Sequence, residues 1–472
     1  MKKFLGLSLA FLMVLTSVLT GCNNSGGNAS NTATNTTANT ATNTATNQAT
    51  QGDNLSGTVV HYTINEDDKM YVTELSKRFM VLHPNVKIEI MTAPYNEFDS
   101  KLQTLVSSGS APDVTSHYAF TGFAEMYSLG LLQDITPYLK QLGTDPVSIG
   151  IPQKLVDIYS IGGEVYGIPV SAYVSLMAYN KDLFDAAGVS YPTVDWEDTS
   201  WTYDKMVEMA KKLTVHSNDP NTMQFGLDFS WAERDMRPIY FGAKVYSDDG
   251  WTNGGRPSKC YFDSPEVIAA SNQWNTLIND LNVMPTADQS RGITGVGAYE
   301  GDSFATGKVA MSVSGSWILA GMNDFDFKVG IAAIPVGGDP NVRSPLFVDP
   351  LVLLKGSKNP VAATAWMMFV ASEDSQRYML ESPYNNPPAN SRVMDDYYKS
   401  LSGVDPADVK TVYDGAVKYG IESYNHVLDK YTEINDIVTN EWAQFENGPG
   451  ADVPAVMKTI QDKVQAILDS NK

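Results

Sequence analysis

Thr58-Val59-Val60-His61-Tyr62-Thr63-Ile64 is the stretch from which the fold is read. Its β-branched and aromatic residues suit a strand, and the period then changes: Val72, Leu75, Phe79 and Leu82 recur on one helical face until Pro84 closes the helix. Val86, Ile88 and Ile90 alternate with Lys87 and Glu89 as a second strand, and Phe98, Leu102, Leu105 and Val106 return to helical spacing. Strand, helix, strand, helix predicts an α/β domain with a largely parallel sheet, whose ligands sit beyond the carboxyl ends of the strands.

The same grammar continues toward the C-terminus. Ser264-Pro265-Glu266 supplies an N-cap, an N1 proline and a first-turn acid ahead of Val267, Trp274, Leu277, Ile278 and Leu281. Residues 309–313 and 328–332 are short strand candidates, and Ala362 to Phe369, with Trp366 and Met367, reads as a buried helix. From about Asp374 the chain is helical and rich in tyrosine, ending in an amphipathic stretch from Val453 to Leu468. No internal repeat is visible.

Toward the N-terminus, Lys2 and Lys3 precede a charge-free run from Phe4 to Leu19 that is short for a membrane span and reads as a secretory signal. Residues 23–52 hold no charge, no aromatic and no Leu, Ile, Val or Met, so nothing there offsets the entropy of ordering. As a coil such a tether spans roughly 30 Å root-mean-square. Leu19-Thr20-Gly21-Cys22 resembles a bacterial lipobox, which implies removal of residues 1–21 and lipidation of Cys22. Ordinary cleavage, with Cys22 left as a thiol, is the other reading.

The whole chain has 472 residues, 33 basic against 54 acidic, for a formal charge of −21; loss of residues 1–21 removes two lysines and no acid, leaving −23. So negative a body, with no Lys/Arg-rich run, repels phosphate backbones and makes nucleic acid an unexpected partner. Its length allows two large lobes or about three domains. The two cysteines, Cys22 and Cys260, build neither a disulfide framework nor a zinc site, and Cys260 is expected as a small buried thiol. The five histidines form no metal-binding spacing, and neither a Gly-x-Ser-x-Gly elbow in credible context nor a phosphate loop occurs. No cofactor, metal or catalytic residue is expected. A glycosidase carboxylate pair among so many acids is a matter of geometry that spacing does not settle.

Several motifs in order resemble the extracellular solute-binding proteins of sugar-importing ABC transporters, the maltose-binding-protein type. They are Ser108-Gly109-Ser110-Ala111-Pro112-Asp113-Val114, Tyr166-Gly167-Ile168-Pro169-Val170, and Tyr179-Asn180-Lys181-Asp182-Leu183-Phe184-Asp185-Ala186-Ala187-Gly188-Val189. Trp201-Thr202-Tyr203, Phe304-Ala305-Thr306-Gly307-Lys308-Val309-Ala310-Met311, Gly315-Ser316-Trp317, residues 330–335 and Phe347-Val348-Asp349-Pro350 follow. The departures are the long tether and an insertion-like stretch from Tyr191 to Ser200. The resemblance implies two discontinuous α/β lobes joined by a hinge and closing on a sugar. It groups residues 55–170 with about 305–347, and about 171–304 with 348–472. Crossings are expected near Val170 and Phe347, with a third unplaced in the tyrosine-rich region. It further implies a monomeric receptor at the outer face of a bacterial membrane that hands its ligand to a permease.

A sugar offers apolar C–H faces and a rim of hydroxyls, so its site needs aromatic platforms beside directional polar groups. Trp317 matches the family's stacking aromatic, with Gly315 and Ser316 beside it; the alternative for Trp317 is core. Asn65, Glu66 and Asp67 match its polar first loop, or else cap a helix. His117 and Tyr118 fall where the family presents an aromatic, although Tyr118 equally suits a core. Tyr173 and Trp231 are further contacts, each balanced against a structural role. Asp349 bonds either hydroxyls or the hinge backbone, and Asn385 lies in a turn-rich loop that is otherwise plain surface. A secreted glycan-cleaving enzyme and a receptor for a non-sugar solute, such as a polyamine, are the rival expectations.

Overall fold

The computed structural model describes residues 55–65, 71–116, 122–219, 221–229, 233–295, 302–381 and 386–470. The signal, Cys22 and the tether lie outside them.

Strands β1 (Gly57–Ile64) and β2 (Val86–Ala93) pair in parallel over their whole length, and β1 pairs in parallel with β3 (Val114–Ser116). The helices Thr73–Leu82 and Phe98–Ser107 make the intervening connections. Leu75 and Phe79 are buried as their spacing requires. Leu82 is not: as the last helical residue before the chain turns into Pro84, it is exposed together with Val81.

A small hairpin, β4 (Ser160–Ile161) and β5 (Glu164–Val165), leads into β6 (Gly167–Asn180), fourteen residues long. Then come β7 (Met311–Gly315), β8 (Val329–Ala332), β9 (Ser344–Leu353) and β10 (Gly420–Glu422). The order is β2-β1-β3-β9-β6-β7, with β8 also on β6 and β10 on β9. β9–β10 is parallel, whereas β3–β9, β6–β9, β6–β7 and β6–β8 are antiparallel. The first half of β6, from Gly167 to Val174, pairs with β9; its second half, from Ser175 to Asn180, pairs with β7 and β8. One nearly continuous apolar strand thus belongs to two sheets, as burial on both faces demands.

The fold is α/β, in two discontinuous lobes joined by hinge strands. β7 and β8 adjoin residues 175–180, beyond the crossing from β1–β3. The sequence-based grouping of 305–347 with 55–170 therefore does not follow the strand pairing. Helix Pro360–Val370 instead packs back on the first sheet, where Trp366 Nε1 donates to His61 Nδ1 at 3.2 Å. Burial holds that imidazole neutral, its pKa lowered to about 4.

Around the second sheet, Trp274 of helix Pro265–Asn275 is buried and donates to the Arg237 carbonyl at 3.1 Å. Ser264 caps that helix, its hydroxyl accepting the Val267 N–H at 3.2 Å. Arg234 and Arg237 converge on the buried Glu446 of helix Tyr431–Glu446. The insertion-like stretch is packed rather than free. Trp196 is buried, stacks on Tyr419 and donates to the Val412 carbonyl at 3.1 Å. Cys260 is buried, and desolvation pushes its thiol up to about 12. No helix among the described residues is long and apolar enough to cross a membrane.

Candidate ligand-binding site

The first three strands end at one edge: Ile64 lies opposite Ala93, and Ser116 opposite Leu351 of β9. Asn65, half-buried, continues directly from β1, and Pro94-Tyr95 continues from β2. Glu66, Asp67, His117, Tyr118, Trp231 and Asn385 lie outside the described residues.

From that edge β9 runs past Asp349 and Phe347, and β6 runs antiparallel beside it, placing Ser171 opposite Asp349 and Tyr173 opposite Phe347. The register shifts between Pro169 and Ser171. A bulge at Val170 adds one residue and so decides which side chains of β6 share a face with Asp349 and Phe347. Tyr173, Phe347 and Asp349 are half-buried amid fully buried neighbours, so this face is open at those positions.

Trp317 closes the aromatic group. Gly315 ends β7 opposite Ser175, and the chain turns at once into a short 3-10 segment, Ser316–Leu319. The indole lies 5.5 Å from the Phe347 ring and 6.1 Å from Tyr173, centroid to centroid, and is 44% exposed. It also lies against Gly315: a Cβ there would stand 2.0 Å from the indole. Only glycine permits this approach. Ser316 faces inward, its Oγ accepting the Val174 N–H at 3.1 Å, which pins the Trp317 segment to β6.

Beneath Phe347 lies a buried acidic group. His426 packs edge-on against Phe347 at 6.3 Å, and its Nδ1 meets Glu422 Oε1. Glu422 Oε1 also accepts the Val348 N–H at 3.0 Å. Burial drives the Glu422 carboxyl well above its usual range, opposed by the Val348 N–H and by Lys154, and drives His426 down. Both shifts favour the uncharged form of each group. Glu233 is raised in the same way, while Ser423 Oγ donates to its Oε1 at 2.6 Å. At the opposite end, desolvation and then the charges of Asp349 and Asp99 raise the Tyr95 hydroxyl.

The structure therefore brings together Trp317, Gly315, Tyr173 and Asp349. It buries Ser316 behind them and sets Asn65 at the strand edge. Sequence reasoning missed Tyr95, Phe347, Glu422 and His426. Phe347 and Asp349 share a strand face by simple alternation, and Glu422 and His426 are four residues apart, but neither pattern identifies a site on its own. The combination is an exposed aromatic wall with hydrogen-bonding side chains along one edge. It suits a polar ligand with apolar faces.

Comparison with known proteins agrees with this architecture. A putative binding protein of Brucella abortus (strain 2308) is 23% identical over 405 residues, covering 84% of this chain and 90% of that protein. The multiple sugar-binding protein of Streptococcus mutans (serotype c) is 24% identical over 289 residues, 59% of this chain and 62% of that one. The solved structure of an ABC substrate-binding protein from Listeria monocytogenes, in complex with cycloalternan, superposes with a TM-score of 0.70 at 22% identity; it covers 88% of this chain and 99% of that one. Residues 65–377, well over half of the sequence, match one family throughout, and the chain belongs to the bacterial extracellular solute-binding proteins.

Proposed function

We propose that this protein is a lipid-anchored receptor of a bacterial ABC importer that binds a carbohydrate, an oligosaccharide rather than a single sugar, and delivers it to the permease unaltered. The observation that carries the sugar is the Trp317–Phe347–Tyr173 wall, half-open and bordered by Asp349. Stacked C–H faces on such a wall and hydroxyls at its polar edge account for both kinds of sugar surface. The name of the Streptococcus mutans relative supports the same ligand class.

The first lobe comprises 55–170 and about 348–392; the second, about 171–347 and 393–470. Supporting this division, Asn390 Nδ2 bonds the Ile149 carbonyl and Arg392 Nη2 the Ser148 carbonyl, whereas Tyr397 pairs with Tyr413 in the second group. The third crossing then follows Arg392, and β10 buttresses β9 at the hinge. Sugar touching both lobes favours the closed state, which the permease recognises. Cys22 carries the lipid at the outer membrane face, the tether lets the body reorient, and the receptor works as a monomer without cofactor, metal or nucleic acid. Trp317, Tyr173, Asp349, Asn65, Glu66, Asp67, His117, Tyr118, Trp231 and Asn385 contact ligand, with Gly315 and Ser316 as support.

The test is tryptophan fluorescence titrated with a panel of oligosaccharides, followed by mass analysis of the recovered ligand. Saturable binding with intact sugar is expected, and Trp317→Ala should weaken it about tenfold or more, ~1.4 kcal/mol, with an unchanged thermal midpoint. Unchanged affinity removes Trp317 from the site; a cleaved ligand replaces receptor by enzyme.

A further inference from the structure

A cavity of about 330 Å³ lies on the other side of the hinge strands. On β9, Phe347 and Asp349 point to the Trp317 side, so Val348 and Pro350 point away. Tyr159 marks that reverse face: a Cβ on Gly167 would touch both Pro350 and the Tyr159 ring, and the Tyr159 hydroxyl donates to the Val348 carbonyl. Phe123 packs edge-on against Tyr159 at 4.9 Å and lines the cavity. Its volume falls at the lower end of the ~300–1,000 Å³ typical of small-molecule sites.

The lining is chemically uneven. Trp251 is 40% exposed and stacks on Tyr424 with centroids 5.2 Å apart and planes at 16°, forming an aromatic wall. Ile158, Ile161, Ile421 and Val427 supply apolar surface. Among the described residues, both charged groups in the lining are acids, Asp157 and Glu422. The Glu422 side chain is only 5% exposed, and while Oε1 is occupied by Val348 and His426, Oε2 has no hydrogen-bond partner among the described residues. Lys154, the nearby ammonium, is held by the Val417 and Gly420 carbonyls. A buried carboxyl oxygen without a hydrogen-bond partner is costly. An aromatic wall beside a carboxylate is the arrangement that receives an organic ammonium. The acidic net charge raises the local concentration of such cations.

We propose that this cavity is a second binding site, distinct from the Trp317 cleft, for a small organic cation whose ammonium head meets Glu422 and the Trp251–Tyr424 wall. Ionisation of the carboxyl, which burial suppresses in the absence of a cation, accompanies binding.

Isoleucine-methyl NMR of the full chain reads the site directly, because Ile158, Ile161 and Ile421 line it. Benzylammonium should produce saturable shifts confined to those methyls, with benzyl alcohol, its uncharged counterpart, at least tenfold weaker. Trp251→Ala and Glu422→Gln should each weaken the cation at least fivefold, whereas Trp317→Ala leaves it unchanged. No saturable shift in the folded protein, equal binding of benzyl alcohol, or loss of binding in Trp317→Ala in place of Trp251→Ala would each overturn the proposal. None of these outcomes depends on sugar binding, so the two sites stand or fall separately.

Discussion

Gly315 shows how a single residue shapes the site: removing one carbon lets the indole of Trp317 lie on its own backbone and present its far face outward. That glycine and tryptophan were legible in the sequence because the motif is compact. Tyr95 and Phe347 were not, because each is an ordinary aromatic until the strand register sets it beside Asp349. The buried acids carry a pH dependence at the same scale. Asp235 is fully enclosed, receives a hydrogen bond from the Tyr246 hydroxyl at 3.3 Å, and is raised from 3.8 to about 8 by desolvation and then by Glu233. The native state therefore holds a proton that the unfolded chain releases above 3.8. This contribution is full at lower pH, declines as pH rises and is gone above 8. The thermal midpoint should fall between pH 5 and 9 in the wild type and fall less in Asp235→Asn, as differential scanning calorimetry would record; parallel slopes would contradict the assignment.

Among the elements, those with a clean period were readable: β1, β2 and the helices between and after them follow from alternation and 3.6-residue spacing. So was the helix Pro265–Asn275, whose cap is written as Ser264-Pro265. Ser264→Ala leaves the Val267 N–H without its partner and should cost about 1 kcal/mol, seen as a lower urea midpoint at unchanged slope. Pairing was much less legible. A strand of fourteen residues offers two places for a later strand to join, and nothing in residues 311–315 says which half of β6 they meet. The grouping of 305–347 with the first lobe departs from the strand pairing for that reason. β10 is three residues, too short for any period, and its place beside β9 is set by tertiary contact alone. The bulge at Val170, which decides the face of Tyr173, is likewise a property of the pair of strands.

At the scale of the whole molecule, β6 and β9 are the axis on which the proposed closure turns. A ligand that bridges both lobes shifts the population toward the compact state only through contacts made better there. Small-angle scattering should therefore show a smaller radius of gyration when saturating oligosaccharide is added to the wild type, and the same decrease for Trp317→Ala only at about tenfold higher concentration. An invariant radius in the sugar-bound wild type would argue against hinge closure. The pairing of β3 with β9 also has a cost in time. Ser116 meets Leu351, which lies 235 residues later in the chain. At a synthesis rate of ~5–20 residues per second, the open edge of β3 waits roughly 10–50 s for its neighbour. An uncovered edge is a template for other chains. Shielding of that edge until Leu351 arrives should therefore matter more to the yield of this protein than the stability of its finished fold, and crowded, fast expression should favour aggregation through β3.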